Sequence, residues 1–248
     1  MEFINTDYCL VSRSNIIEWD IRHANTSLMK FYKLAQEKTI DKLDKMPKQE
    51  REIKVGLLCR EDPTFSKKLQ KSFDDIMKLF LTSNELTKDD IISIKKDACF
   101  VLNHPVEHTI FDNLEFVKKN SYSGYCRIPL YEFYIKSDEE IDVKGIGDKT
   151  VLSLHRNGIL QFIFDVVSVS SGSRKFAADY LHQFIEAYKK RELPFDYYRE
   201  FNSQSAFMYY AADGSKVFLD EIDESVIDTI DISWNYINII LPLARLLI

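Results

Sequence analysis

Two aspartates, Asp20 and Asp97, raise the first chemical question in this sequence. Asp20 closes a short strand-like run, residues 15–20, and a helix-like run begins a few residues later. Asp97 falls in IISIKKDACFVLN, residues 91–103, which reads as strand, turn, strand around Lys95-Lys96-Asp97. If the two strands are neighbours in one sheet, the two carboxylates converge. Paired hard oxygen donors suit a divalent magnesium or manganese ion whose shell is completed by substrate phosphates. Two such ions about 3.5–4 Å apart activate an attacking oxygen and stabilise a leaving one. The chemistry is phosphoryl transfer, in which the protein mainly positions groups and screens charge. In a chain with 39 acidic residues, spacing alone equally admits two solvated aspartates in turns.

The elements that must position this pair follow from apolar spacing. Leu28, Phe31, Leu34 and Ala35 predict a helix over residues 26–45. A second helix is expected over 48–60, behind Pro47, and a third over 66–81, where Phe73, Ile76, Met77 and Phe80 share one face. Beyond the hairpin, residues 109–134 are rich in aromatic and β-branched residues and read as further strands. Residues 152–168 and 176–191 read as helices. The chain is thus expected to be α+β, with a mixed half over 1–135 and a mostly helical half over 145–248.

The local words are more specific than the spacing. DIRHANTSLM, residues 20–29, resembles motif A of family B DNA polymerases, with Asp20 first and Ser27 before two apolar residues. KKDACFV, residues 95–101, resembles motif C of that family, its second aspartate falling on Asp97. VKKNSYSGY, residues 117–125, resembles the KKxY element that follows. The three words come in the family's order and cover about the first 125 residues. The resemblance implies a palm-like antiparallel sheet with helices on one face, a short helical fingers insertion at about 26–88 and a helical, thumb-like C-terminal region. It implies template-directed nucleotide addition, with Asp20 and Asp97 as catalytic residues and ligands of Mg²⁺ or Mn²⁺. Main-chain N–H groups after Asp20, together with Asn25, Ser27, Arg51 and Lys54, would meet a nucleoside triphosphate. Lys118, Lys119 and Tyr122 would hold the nucleic-acid backbone of a primer–template. Lys95 stands where the family has its first motif C carboxylate, and Asn25 replaces its sugar-packing tyrosine. Arg51 and Lys54 also fit a solvated helix face. The compact form, with no exonuclease segment before motif A, resembles proteins of phages or other mobile elements. A second class fits the same words: a palm-derived subunit that binds or assembles without catalysing.

Composition narrows the partners. The net charge of −6 excludes a general basic coat for nucleic acid, though not a local stripe. The acidic run DEIDESVIDTID and the apolar tail YINIILPLARLLI suit a protein partner. No apolar run reaches the roughly 18 residues of a membrane span, and no signal pattern opens the chain, so a cytoplasmic protein is expected, in the host cytoplasm for a phage product. Cys9, Cys59, Cys99 and Cys126 form no C-x-x-C pair and read as core thiols.

Overall fold

Near residue 88 the helical apolar spacing gives way to short apolar runs, and helices give way to strands there. A computed structural model of the protein describes residues 2–128, 131–136, 140–145, 156–171, 173–190, 192–193, 200–201, 207–210, 216–219 and 245. Along the chain run β1 (Phe3–Ile4), β2 (Leu10–Val11), β3 (Ile16–Ile21), α1 (Ala24–Phe31), α2 (Glu37–Asp44), α3 (Lys48–Glu61) and α4 (Pro63–Ser83). There follow β4 (Ile91–Lys95), β5 (Ala98–Leu102), β6 (Ile110–Phe111), β7 (Leu114–Tyr122), β8 (Gly124–Ile128), β9 (Tyr131–Ile135) and β10 (Ile141–Gly145). Next come α5 (Arg156–Ser170), α6 (Arg174–Lys189), β11 (Glu200–Phe201), β12 (Phe207–Tyr210) and β13 (Lys216–Leu219). The protein is mixed α and β with antiparallel pairing, as the sequence pattern predicts.

Two compact units divide the chain: Met1–Asp7 with Asn15–Ser121, and Tyr8–Ser14 with Tyr122–Ile248. The first unit holds most of a six-stranded sheet in the order β1-β4-β5-β3-β7-β6. Side chains alternate across these strands, so each presents one row to the helices. Cys99, Val101 and Phe116 of the sheet share a buried cluster with Leu28 of α1 and Phe73 and Phe80 of α4. Ile40 of α2 and Val55 of α3 belong to the same cluster. The helical segment expected as a fingers insertion at about 26–88 is therefore built into the core of the sheet, because each of its helices buries apolar side chains there.

The helix ends have local causes. The single helix expected over 26–45 is two helices. Lys33 takes a left-handed φ of 53°, and the N–H of Leu34 donates to the carbonyl of Met29 at 2.9 Å. This is a Schellman closure, which satisfies a terminal carbonyl and turns the chain out of α1. Asp62 separates α3 from α4, its carboxylate accepting from the N–H groups of Thr64 (2.8 Å) and Phe65 (3.0 Å). Pro63 fits the first turn of α4, where its missing N–H leaves nothing unpaired.

The second unit contains the sheet β10-β9-β8-β2, and Cys126, Phe133 and Ile135 pack with Val166 of α5 and Leu181 and Phe184 of α6. The expected domain boundary near 135 falls instead at Ser121/Tyr122, because β8 and β9 share this second core. Beyond residue 145 the expectation was mostly helix. The described residues there form two helices and an antiparallel sheet in the order β11-β12-β13. The acidic run and the apolar tail lie outside the described residues, Arg245 excepted. Among the described residues no helix is long and apolar enough to cross a membrane. All four cysteines are free thiols, and burial pushes that of Cys99 up to about 12.

Candidate acidic site

Strand β3 alternates two kinds of residue. Ile17, Trp19 and Ile21 form one row, and Glu18 and Asp20 form the other. The Trp19 ring lies 6.5 Å from that of Phe80 on α4, so the acidic row projects from the opposite face of the sheet. Strand β5 pairs antiparallel with β3 and sets Ala98 opposite Asp20. Asp97 is the residue before Ala98, in the turn between β4 and β5. The N–H of Ile21 donates to the Asp97 carbonyl at 3.0 Å, so the strand end and the hairpin turn are tied together. The structure thus brings together the two aspartates that the sequence singled out.

Their charges interact. Burial, and after it the negative charge of Asp20, raises the Asp97 carboxyl above its ordinary range. Lys96, also in the turn, has φ 31° and holds its ammonium 4.6 Å from the centre of the Phe73 ring. A closer cation arrives from β7. The Lys119 Nζ lies 2.8 Å from Oδ2 of Asp20 and 3.4 Å from Oε1 of Glu18. The other Glu18 oxygen accepts from Nδ2 of Asn120 at 2.7 Å. The side chain of Glu18 is 2% exposed, that of Asp20 20% and that of Lys119 49%. Partial burial works against the Lys119 charge, but the hydrogen bond and charge of Asp20, with Glu18 behind them, outweigh it and raise its affinity for its proton.

The remaining expected residues distribute differently. The Ser27 hydroxyl donates to the Arg22 carbonyl at 2.7 Å, which closes the turn into α1. The N–H groups of Ile21 and Arg22 are spent on the carbonyls of Asp97 and Glu115, so these two are not open to a triphosphate. Asn25 sits in the first turn of α1, where its buried Oδ1 has no hydrogen-bond partner among the described residues. Arg51 is buried on α3 and Lys54 is exposed on the same helix. Among the described residues no hydrogen bond or ion pair joins either to the acidic cluster. Lys118 is exposed on β7 beside Lys119. Tyr122, expected to face nucleic acid, is buried at 2% exposure in the second unit. Its hydroxyl donates to Asp142 at 2.7 Å and its ring lies 5.2 Å from that of Tyr134, so it serves packing there.

Sequence reasoning missed Glu18 and Asn120, and it assigned Lys119 to a primer rather than to Asp20. Glu18 had a readable signal: it stands two residues before Asp20, hence on the same face of a strand. Among the described residues no group of three or more His, Cys, Asp or Glu side chains is arranged to hold a metal ion.

No curated protein matches the chain. A family model, that of the bacteriophage PBS1 gene 130 protein, matches residues 1–248, the whole length. The chain therefore belongs to the bacteriophage PBS1 gene 130 protein family.

Proposed function

We propose that the Asp20–Asp97 site serves metal-dependent nucleotidyl transfer, the template-directed nucleotide addition that the family B polymerase words imply. The observation that carries this reading is the placement of Asp20 at the end of β3, opposite the hairpin turn that holds Asp97, with the Ile21–Asp97 backbone bond between them. The residues fit a hard divalent cation. Two carboxylates whose like charges disfavour ionisation gain from a shared positive charge. Magnesium is commonly held by one or two carboxylates, with phosphate and water oxygens completing the shell. When bound, Mg²⁺ or Mn²⁺ supplies charge stabilisation at the transferring phosphorus and a more nucleophilic attacking oxygen. Asp20 and Asp97 hold it. Lys118 offers an exposed cation on the strand beside the site, available to a phosphate backbone. Arg51 and Lys54 enter this reading as triphosphate contacts only through the resemblance.

A second reading, a palm-derived subunit that binds or assembles without catalysing, has a specific observation in its favour. Lys119 already neutralises Asp20, and Lys95 stands in place of a carboxylate at the hairpin. In that case the acidic and apolar C-terminal segments are the parts that suit a protein partner.

Incorporation of nucleotides on a primed template, with Mg²⁺ and with Mn²⁺, separates the two. Wild-type incorporation that is lost in Asp20→Asn and in Asp97→Asn, both still folded, supports nucleotidyl transfer. Wild-type protein inert with both metals rejects it in favour of the assembly reading.

A further inference from the structure

We propose that Lys119 is the resident counter-ion of the acidic site, and that a divalent cation and Lys119 compete for Asp20. The inference rests on the metal-site reading above and adds a residue and a rule of exchange to it. Glu18 and Asp20 share one face of β3, Asp97 stands in the hairpin turn bonded to the end of that strand, and Lys119 directly contacts both Glu18 and Asp20. Its shorter contact, 2.8 Å, is to Asp20, and its longer one, 3.4 Å, is to Glu18. A cation binding Asp20 meets this ammonium on the same carboxylate, and two positive charges at that range repel.

The neighbouring groups show where Lys119 goes. Glu18 is 2% exposed and anchored by Asn120 at 2.7 Å, so it stays in place and keeps an oxygen for the ammonium. The lysine side chain is flexible and half exposed, so it can shift its weight from Asp20 to Glu18 without disturbing the strands. The charges then balance. Glu18 and Lys119 cancel, and Asp20 with Asp97 carry two negative charges against the two positive charges of the metal. Glu18 is the positioning residue of this arrangement. It touches no metal and holds the lysine that must move.

The test is binding of Mn²⁺ alone to the full chain, measured by calorimetry, together with the NMR signal of the Lys119 ammonium during titration with Mg²⁺. Lys119→Met is expected to bind Mn²⁺ roughly three- to tenfold more tightly than wild type, the range that loss of a partly exposed ion pair allows. Lys119→Arg stays near wild type, and Asp20→Asn loses binding. In wild-type protein the Lys119 signal shifts saturably with Mg²⁺, a readout that survives even if Lys119→Met fails to fold. Wild-type Mn²⁺ binding that Asp20→Asn abolishes but Lys119→Met leaves unchanged overturns the competition and leaves the metal site standing. A Lys119 signal unmoved by saturating Mg²⁺ has the same meaning. Absence of Mn²⁺ binding in wild type and Lys119→Met alike overturns the inference and the metal site together.

Discussion

The N–H of Ile21 donates to the carbonyl of Asp97 across 3.0 Å, so the residue after one aspartate is bonded to the other aspartate's own backbone. The link needs no side chain. It holds the end of β3 against the β4–β5 turn whether or not either carboxylate is charged. The acids are thereby kept close although their charges oppose it, and the sheet supplies the energy that holds them there.

That opposition gives a pH dependence. The folded-state affinity of Asp97 for its proton lies above the ordinary value of 3.8, because of burial first and Asp20 second. A carboxyl shifted upward contributes no penalty below the unfolded value and destabilises the fold as pH rises through the folded value. Asp97→Asn removes the charge. It is expected to match wild type in melting temperature in strong acid and to exceed it at neutral pH. Thermal melts between about pH 3 and pH 7 check this. Under the proposed nucleotidyl-transfer reading the same variant loses activity, a conflict between stability and function common at charged sites.

Glu18 tests the support of the site. Glu18→Ala deprives Asn120 and Lys119 of a buried acceptor and is expected to lower stability by about 1–3 kcal/mol. Glu18→Gln keeps an acceptor oxygen for Asn120 and loses less. Urea denaturation with linear extrapolation measures both.

Phe80 tests the packing behind the site. It is fully buried, its ring centre lies 4.1 Å from that of Phe116 in a stacked pair, and it abuts Trp19. Phe80→Ala is expected to cost about 3–5 kcal/mol through lost burial and the cavity left behind. The adjacent Leu79 is 40% exposed, and Leu79→Ala is expected to stay within about 1 kcal/mol of wild type. Chemical denaturation followed by tryptophan fluorescence compares the two.

In the second unit, Gly124 marks a close approach of β8 to α5. A Cβ built on it lies 2.9 Å from Cγ1 of Val167 and 3.3 Å from the Val11 carbonyl oxygen. Gly124→Ala is expected to destabilise by about 1–3 kcal/mol through overpacking. Adding Val167→Ala relieves the nearer clash, so the double variant is expected to be more stable than the sum of the single effects. A thermal-melt double-mutant cycle reads the coupling.

Asp20 and Asp97 were legible because each stands at a punctuation point that local rules recognise, a strand end and a hairpin turn. The hairpin itself was readable from two short apolar runs on either side of Lys95-Lys96-Asp97, α4 from apolar spacing, and the limits of α3 from Pro47 and Pro63. The split between α1 and α2 was not, because Lys33 adopts a left-handed φ without being glycine. Tyr122 misled for another reason. Its word matched a nucleic-acid element, yet Asp142, twenty residues on, provides the acceptor that makes its burial tolerable.

By itself the sequence determined the α+β class, most element types in the first half of the chain and the positions of the two aspartates within them, because these depend on periodicity and turn chemistry within a few residues. Tertiary structure alone decided the partners. Lys119 meets Asp20 at a sequence separation of 99, Asn120 meets Glu18 at one of 102, and β8 and β9 join the second core rather than the first. Such pairings depend on which strands become neighbours and which faces are covered. They are settled by burial summed over a whole sheet, which no local stretch of residues contains.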